Sequence, residues 1–285
     1  MKLFPRKRPS RLSSLAGNTA DNPALPFGHF DSPEHSQRKR LIMRCLAVSA
    51  FLAAQAVQLY FVGFLQNWTP QGIDTGSPAS PASPASIAGA VVADGALLIV
   101  FGLVHSLMAR PFFKQALRHI APAALERSLY ILVSSLLLAM IVVLWTPLPA
   151  PLWTITRHWG ALAVLGVFAL GNLLLAWAIL SIDPWHFFGL RQVFSPTAQE
   201  PGFSMRGPYR HLRHPIQAGL ILALWATPAM TTGHALLAGT LTLYSISATL
   251  FLEERDLIAS IGPAYRTYRG EASALLPFNL LRRRR

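Results

Sequence analysis

Long apolar runs separated by short polar stretches set the pattern of this chain. The runs fall at about 43–65, 87–107, 128–146, 159–181, 215–230 and 233–252. A helix that crosses a bilayer needs about 20 mostly apolar residues. The fifth run is short and reaches only about 24 Å at 1.5 Å per residue. It is expected to pair with the sixth as a tight hairpin through "TPAMTTG", where Pro228 and Gly233 mark the turn. The pattern predicts an all-α fold, a polytopic membrane helix bundle of about six spans that includes a C-terminal helical hairpin.

The segments outside the runs have a different character. Residues 1–40 are basic, rich in Pro and Ser and without an apolar core, and read as a disordered arm. The first apolar run starts too late for a secretory signal and has no small-residue cleavage site. Asp21, Asp31 and Glu34 speak against an organelle transit peptide. Residues 76–86, "GSPASPASPAS", read as a low-complexity external linker. The membrane domain is expected over 41–277, with 278–285 as a basic tail.

Composition agrees with the spans. The chain is 52% apolar and 13% charged, against about 25% charged in soluble domains. The net charge of +13 raises the question of a nucleic-acid partner. Its distribution answers it: in a six-span topology, Arg157 alone of the 25 Lys and Arg residues falls in a loop on the far side. That is the positive-inside pattern, with both termini cytoplasmic and membrane lipid rather than nucleic acid as the partner. The basic arm could bind anionic headgroups or carry no role. Cys45 is the single cysteine, so no disulfide framework or zinc site can be built, and no metal is expected.

Polar chemistry gathers on the cytoplasmic side. "RGPYRHLRHPIQAG", residues 206–219, places Arg210, His211, Arg213 and His214 before a helix that starts at Pro215. Proline suits the first helical turn, where its missing N–H would be unpaired. The amides of Ile216, Gln217 and Ala218 are then expected to point freely toward the loop, as an anion site at a helix N-terminus. Gly219 leaves room for a ligand or a neighbouring helix. The last apolar run ends in "LFLEERDLIASIGPAYRTYR", which brings Glu253 and Glu254 to the membrane edge before Gly262-Pro263 stops the helix. Adjacent residues point about 100° apart on a helix, so one of the two carboxylates is expected to face the cleft. Tyr265 and Tyr268 follow. An anion pocket, a carboxylate and aromatic faces match a ligand with a carboxylate, a cationic centre and an adenine ring, as in S-adenosylmethionine. The same residues could instead form positive-inside charge and an interfacial ion-pair cluster.

"GPYRHLRHPIQAG", then "EERDLIASIGPAYRTYR" and "LLP", resemble the carboxy-terminal signature of the integral-membrane methyltransferases, which include the isoprenylcysteine carboxyl and phospholipid N-methyltransferases. The upstream stretches "VHSLMARPFFKQ", "ERSLYILVSSLLL", "FFGLRQVF" and "ATPAMTTGHALLA" resemble the bacterial methanethiol S-methyltransferase branch, over roughly 94–277. The resemblance implies S-adenosylmethionine as cofactor and assigns Arg213, His214, Pro215, Gln217, Gly219, Glu253, Glu254, Tyr265 and Tyr268 to its site. Gln217 departs from the tyrosine that many members carry there. The resemblance further implies a bacterial inner membrane, a small volatile thiol as substrate and dimethyl sulfide as product. Another lipophilic acceptor, or a non-catalytic protein keeping the fold, stands as the alternative.

A free alkyl thiol is mostly protonated at neutral pH, and the thiolate is the nucleophile. A base is therefore expected. His105 lies near the inner end of the second span in an apolar setting, where ionisable groups are usually paired or functional. Asp94 lies on the same helix, too far away for direct pairing. Asp183 and His186, in "IDPWHFFGLRQ", could act as a base pair of residues or cap a helix end, and Arg191 and Gln192 could position the loop. The catalytic candidates are His105, Asp183 and His186.

Overall fold

The computed structural model describes residues 33–75, 83–195, 197 and 202–276. Helix α1 (Pro33–Leu65) leads to α2 (Pro84–Met108), the short α3 (Pro111–Leu117) and α4 (Glu126–Leu144). Strand β1 (Pro151–Thr154) precedes α5 (His158–Ser181), followed by the short helices α6 (Pro184–Phe187) and α7 (Leu190–Phe194). Then come α8 (Pro215–Trp225), β2 (Ala229–Thr231), α9 (Thr232–Ser247), a π-helical segment (Ala248–Glu253), α10 (Glu254–Ile261) and α11 (Pro263–Glu271). Five helices are long and apolar enough to cross a membrane, and α8 is a shorter apolar one. The chain is an integral membrane protein of the helical-bundle class.

Three boundaries differ from the sequence pattern. Residues 1–32 of the expected arm lie outside the described residues, but Pro33 to Arg40 already continue α1. The part of the expected linker that is described, Ser83 to Ser86, is a helix start. Ser83 and Ser86 form a capping box, and Pro84 takes the first helical position. The expected 215–230 helix ends at Trp225, because Pro228 cannot donate to a continuing helix. Beyond Trp225 the chain is extended, and its carbonyls are met from outside the segment. Gln66 donates to Ala226 O at 3.1 Å and the Trp153 indole to Thr227 O at 3.3 Å. The Ile155 amide donates to Pro228 O at 2.8 Å. Non-helical backbone at membrane depth survives only with such partners. The expected helical turn is therefore a strand: β2 pairs antiparallel with β1, with Pro151 opposite Thr231 and Thr154 opposite Ala229.

The core lies toward this sheet end of the bundle. Phe64, Ile73, Leu98, Ile141, Trp145 and Leu224 are buried together. The Trp145 indole donates to Ile73 O at 3.1 Å and stands edge-on to Phe64. Asp94, fully buried, accepts from the Thr146 amide at 3.0 Å and so satisfies a backbone group just past α4. Close packing of α5 on α8 depends on two glycines. A Cβ at Gly219 would sit 2.6 Å from the Gly171 carbonyl oxygen, and a Cβ at Gly171 would sit 2.8 Å from that of Gly219. Small residues at such a crossing let membrane helices approach backbone to backbone. Gly219 thus serves the neighbouring helix. The opposite end of the bundle carries the start of α1 and α4, the ends of α2 and α5, Arg110, Arg127 and Arg213, and is called the basic end below.

Candidate active site

At the basic end the segment before α8 is fixed by the chain that follows α11. The Arg213 and His214 amides donate to Ser273 O at 2.8 Å and Ala274 O at 3.1 Å, and Ser273 returns a bond to His211 O. Tyr268 donates its hydroxyl to Tyr209 O at 2.5 Å and Leu212 O at 3.1 Å. Burial pushes the Tyr268 phenol up to about 12, and Tyr209 is raised to about 12 by burial, with Tyr268 and Glu253 adding to it.

Glu254 is the centre of this clasp. Its Oε1 receives Arg213 Nε at 2.6 Å, lies 3.1 Å from His214 Nε2 and accepts from Tyr265 Oη at 3.2 Å. Arg269 Nε lies 3.0 Å from Oε2. Arg213 also reaches Arg269 O and Ala272 O. Burial raises the Tyr265 phenol, and the carboxylate of Glu254 raises it further. Glu254 is buried, as are both tyrosine side chains. They hold the segment together, and Phe203 packs edge-on against both rings at 5.8 and 5.2 Å.

Glu253 is different. Its side chain is 41% exposed. Its Oε2 accepts from Gln217 Nε2 at 2.9 Å and lies 3.4 Å from His214 Nδ1. His214, buried, therefore stands between the two carboxylates. The π-helical turn Ala248–Glu253 ends on the first residue of the pair, and such turns often mark functional sites. One of the two carboxylates was expected to face the cleft; both reach the 213–217 segment, Glu254 through Arg213 and Glu253 through Gln217, and they differ in exposure. The expectation for the start of α8 needs one correction: the Ala218 amide is already helical, donating to His214 O at 3.0 Å.

A second cluster joins α2, α4 and α9. His105 Nε2 is 2.6 Å from Tyr130 Oη, and its Nδ1 is 2.9 Å from Ser134 Oγ. The ring stacks on Phe101 at 5.4 Å and lies 4.9 Å from the Tyr130 ring and 6.5 Å from that of Tyr244. Tyr244 Oη bonds Ser106 Oγ at 2.9 Å. Gly102 makes room for the Tyr244 ring, since a Cβ there would meet it at 3.0 Å. Arg127 lies over Tyr130 at 5.2 Å and over Phe187 at 5.1 Å, and donates to Phe187 O.

The other catalytic candidates have local structural partners. Asp183 caps α6, accepting from the His186 amide at 3.1 Å, and pairs with Arg191 at 2.5 Å. Gln192 donates to His186 O at 3.1 Å and lies 3.2 Å from its Nδ1. Of the two readings of Asp183, the cap is the one these bonds describe. Sequence reasoning missed Tyr130, Ser134, Tyr244 and Arg127. The signal available was polar residues on otherwise apolar spans, with Tyr130 and Ser134 four apart and so on one helix face.

Similarity to known proteins follows the whole bundle. The chain is 39% identical over 250 residues to methanethiol S-methyltransferase 2 of Bradyrhizobium diazoefficiens, which covers 86% of this chain and 93% of that one. It is 37% identical over 245 residues to the methanethiol S-methyltransferase of Mycobacterium tuberculosis, 84% of this chain and 98% of the other. This chain belongs to the methanethiol S-methyltransferase family. The family likeness extends to nurim of Bos taurus, at 31% identity over 238 residues, 76% of this chain and 90% of nurim. No family model matches, and no solved structure matches. For a member of the methanethiol S-methyltransferase family, the arrangement offers an open carboxylate, Glu253, beside the clasp, and a histidine–tyrosine cluster built from α2 and α4.

Proposed function

We propose that this chain transfers a methyl group from S-adenosylmethionine to methanethiol, giving dimethyl sulfide, at the basic, cytoplasm-facing end of the bundle with both termini cytoplasmic. The observation that carries this reading is the position of Glu253, half-exposed beside the clasp and bonded to Gln217 Nε2 at 2.9 Å. The relatives' names supply the acceptor.

The donor chemistry of the residues fits S-adenosylmethionine. Pro215 opens α8, and the amides of Ile216 and Gln217 follow it, where a helix start favours a carboxylate. Half-exposed Glu253 suits a cationic centre, and the exposed ring of Phe203 suits an adenine face. When bound, the donor supplies an electrophilic methyl on a sulfonium. Glu254, Arg213, His214, Tyr265 and Tyr268 keep the clasp rigid, so that Glu253 and Gln217 hold a fixed geometry. Fixed placement of reacting groups near 3–3.5 Å provides much of the rate in such displacements. His105 serves as the proton sink for the thiol. Asp183, His186, Arg191 and Gln192 order the loop that Arg127 ties to Tyr130. A small apolar acceptor reaches the site from the bilayer, into which it partitions.

Purified protein in detergent, given S-adenosylmethionine and methanethiol, is expected to release dimethyl sulfide into the headspace. Absence of dimethyl sulfide, with product formed from a prenylated carboxylate or lipid amine instead, overturns the acceptor assignment.

A further inference from the structure

Both ring nitrogens of His105 are occupied. Nε2 is 2.6 Å from Tyr130 Oη and Nδ1 is 2.9 Å from Ser134 Oγ. The ring faces are covered too, by Phe101 stacked at 5.4 Å and by Tyr130 at 4.9 Å. An imidazole so enclosed cannot present a nitrogen to a thiol without breaking one of its own bonds. The Tyr130 hydroxyl is both donor and acceptor, so one bond to His105 leaves its oxygen able to receive another proton. From this geometry we infer that Tyr130, not His105, is the catalytic residue that meets the acceptor thiol, and that His105 and Ser134 act through it as a proton relay. The inference rests on the thiol-methylation reading above and names the group that handles the proton there.

The relay balances as follows. The thiol S–H bond breaks and its proton passes to Tyr130 Oη as the phenolic proton passes to His105 Nε2. His105 keeps its Nδ1 proton toward Ser134 Oγ, which fixes the tautomer and supports the imidazolium. The electron pair left on sulfur forms the new S–C bond as the donor's S–C bond breaks. The imidazolium later returns its proton to water by the reverse path. Arg127, 5.2 Å over the Tyr130 ring, and Phe101 hold the two rings in register. Arg127 over the Tyr130 ring and Tyr244, whose ring lies 6.5 Å from that of His105, are the charged and titratable groups packed against the relay.

The test compares Tyr130→Phe, His105→Gln and Ser134→Ala with wild type on methanethiol and on the more acidic 2,2,2-trifluoroethanethiol. At neutral pH, Tyr130→Phe is expected to lose about a hundredfold or more in kcat on methanethiol and much less on the fluorinated thiol. Its methanethiol rate should rise with hydroxide concentration where the wild type is flat. A second readout needs no turnover. With sinefungin bound, the ultraviolet band of the thiolate should appear at neutral pH in wild type and be absent in Tyr130→Phe. Affinity for S-adenosylhomocysteine, measured by calorimetry, should be unchanged, which separates a relay from a folding role. Wild-type rates and thiolate band in Tyr130→Phe, or equal losses on both thiols, overturn the relay while leaving the methylation reading intact. A wild type that yields no dimethyl sulfide overturns both.

Discussion

Arg213 and Glu254, 41 residues apart, meet as a buried ion pair with Nε 2.6 Å from Oε1. Their side chains are only 10% and 4% exposed. A pair this deep is held by its surroundings: His214, Tyr265 and Arg269 on the carboxylate, two backbone carbonyls on the guanidinium.

Removing one partner strips the other of its shortest charged contact, and breaking a buried pair costs about 3–5 kcal/mol. Glu254→Ala and Arg213→Ala are therefore expected to lower the unfolding midpoint sharply in detergent. The double variant should lose less than the two singles combined, because neither then strands a charge. Thermal and denaturant melts of the purified variants check this, with additive losses counting against the pair.

Glu253 should separate binding from folding. Its half-exposed side chain has one hydrogen bond, from Gln217, so Glu253→Gln is expected to change stability by no more than about 0.5 kcal/mol. Its affinity for a cationic donor should fall about tenfold, the equivalent of about 1.4 kcal/mol. Calorimetry with S-adenosylmethionine against S-adenosylhomocysteine is the measurement, since only the first carries the extra charge.

The glycine crossing makes a steric prediction. A side chain at either Gly171 or Gly219 must push the α5 and α8 backbones apart. Gly219→Ala is expected to destabilise by about 1–3 kcal/mol, and Gly219→Leu to prevent assembly of the bundle. Gly166→Ala is a control, since a Cβ there meets nothing within 4 Å.

Alkaline pH should open the clasp. Burial pushes Tyr268 up to about 12, and Tyr209 is raised to about 12, above an unfolded value near 10. A phenol raised on folding stabilises fully below its unfolded value, and that contribution fades as pH climbs toward the folded one. Stability should thus fall between about pH 10 and 12, and Tyr268→Phe should flatten that decline. Melting curves taken across this window test it, and an unchanged slope in the variant removes Tyr268 as the cause.

The spans were legible because apolar length is a local property, and so was the helix stop at Gly262-Pro263. The 100° step of a helix separates Glu253 from Glu254, but it did not show that both would reach the 213–217 segment. What the sequence hid was long-range. The carbonyls of 226–228 are satisfied by Gln66, Trp153 and Ile155, so α8 could end early and β2 could form. Nothing local sets Tyr130 and Tyr244 apart from other span aromatics; only the fold brings His105 and Ser106 beside them. Tyr265 and Tyr268 carry the right chemistry for a ligand, yet their hydroxyls are spent on Glu254 and on backbone carbonyls.

The backbone bridge between Leu212 and Ser273 gives the chain a schedule of manufacture. Arg269, Ala272 and Ser273 come after the last described apolar helix in chain order. Arg213 therefore lacks the carbonyls that grip it until this final stretch has been synthesised, so the clasp is completed by the segment that follows the last described span.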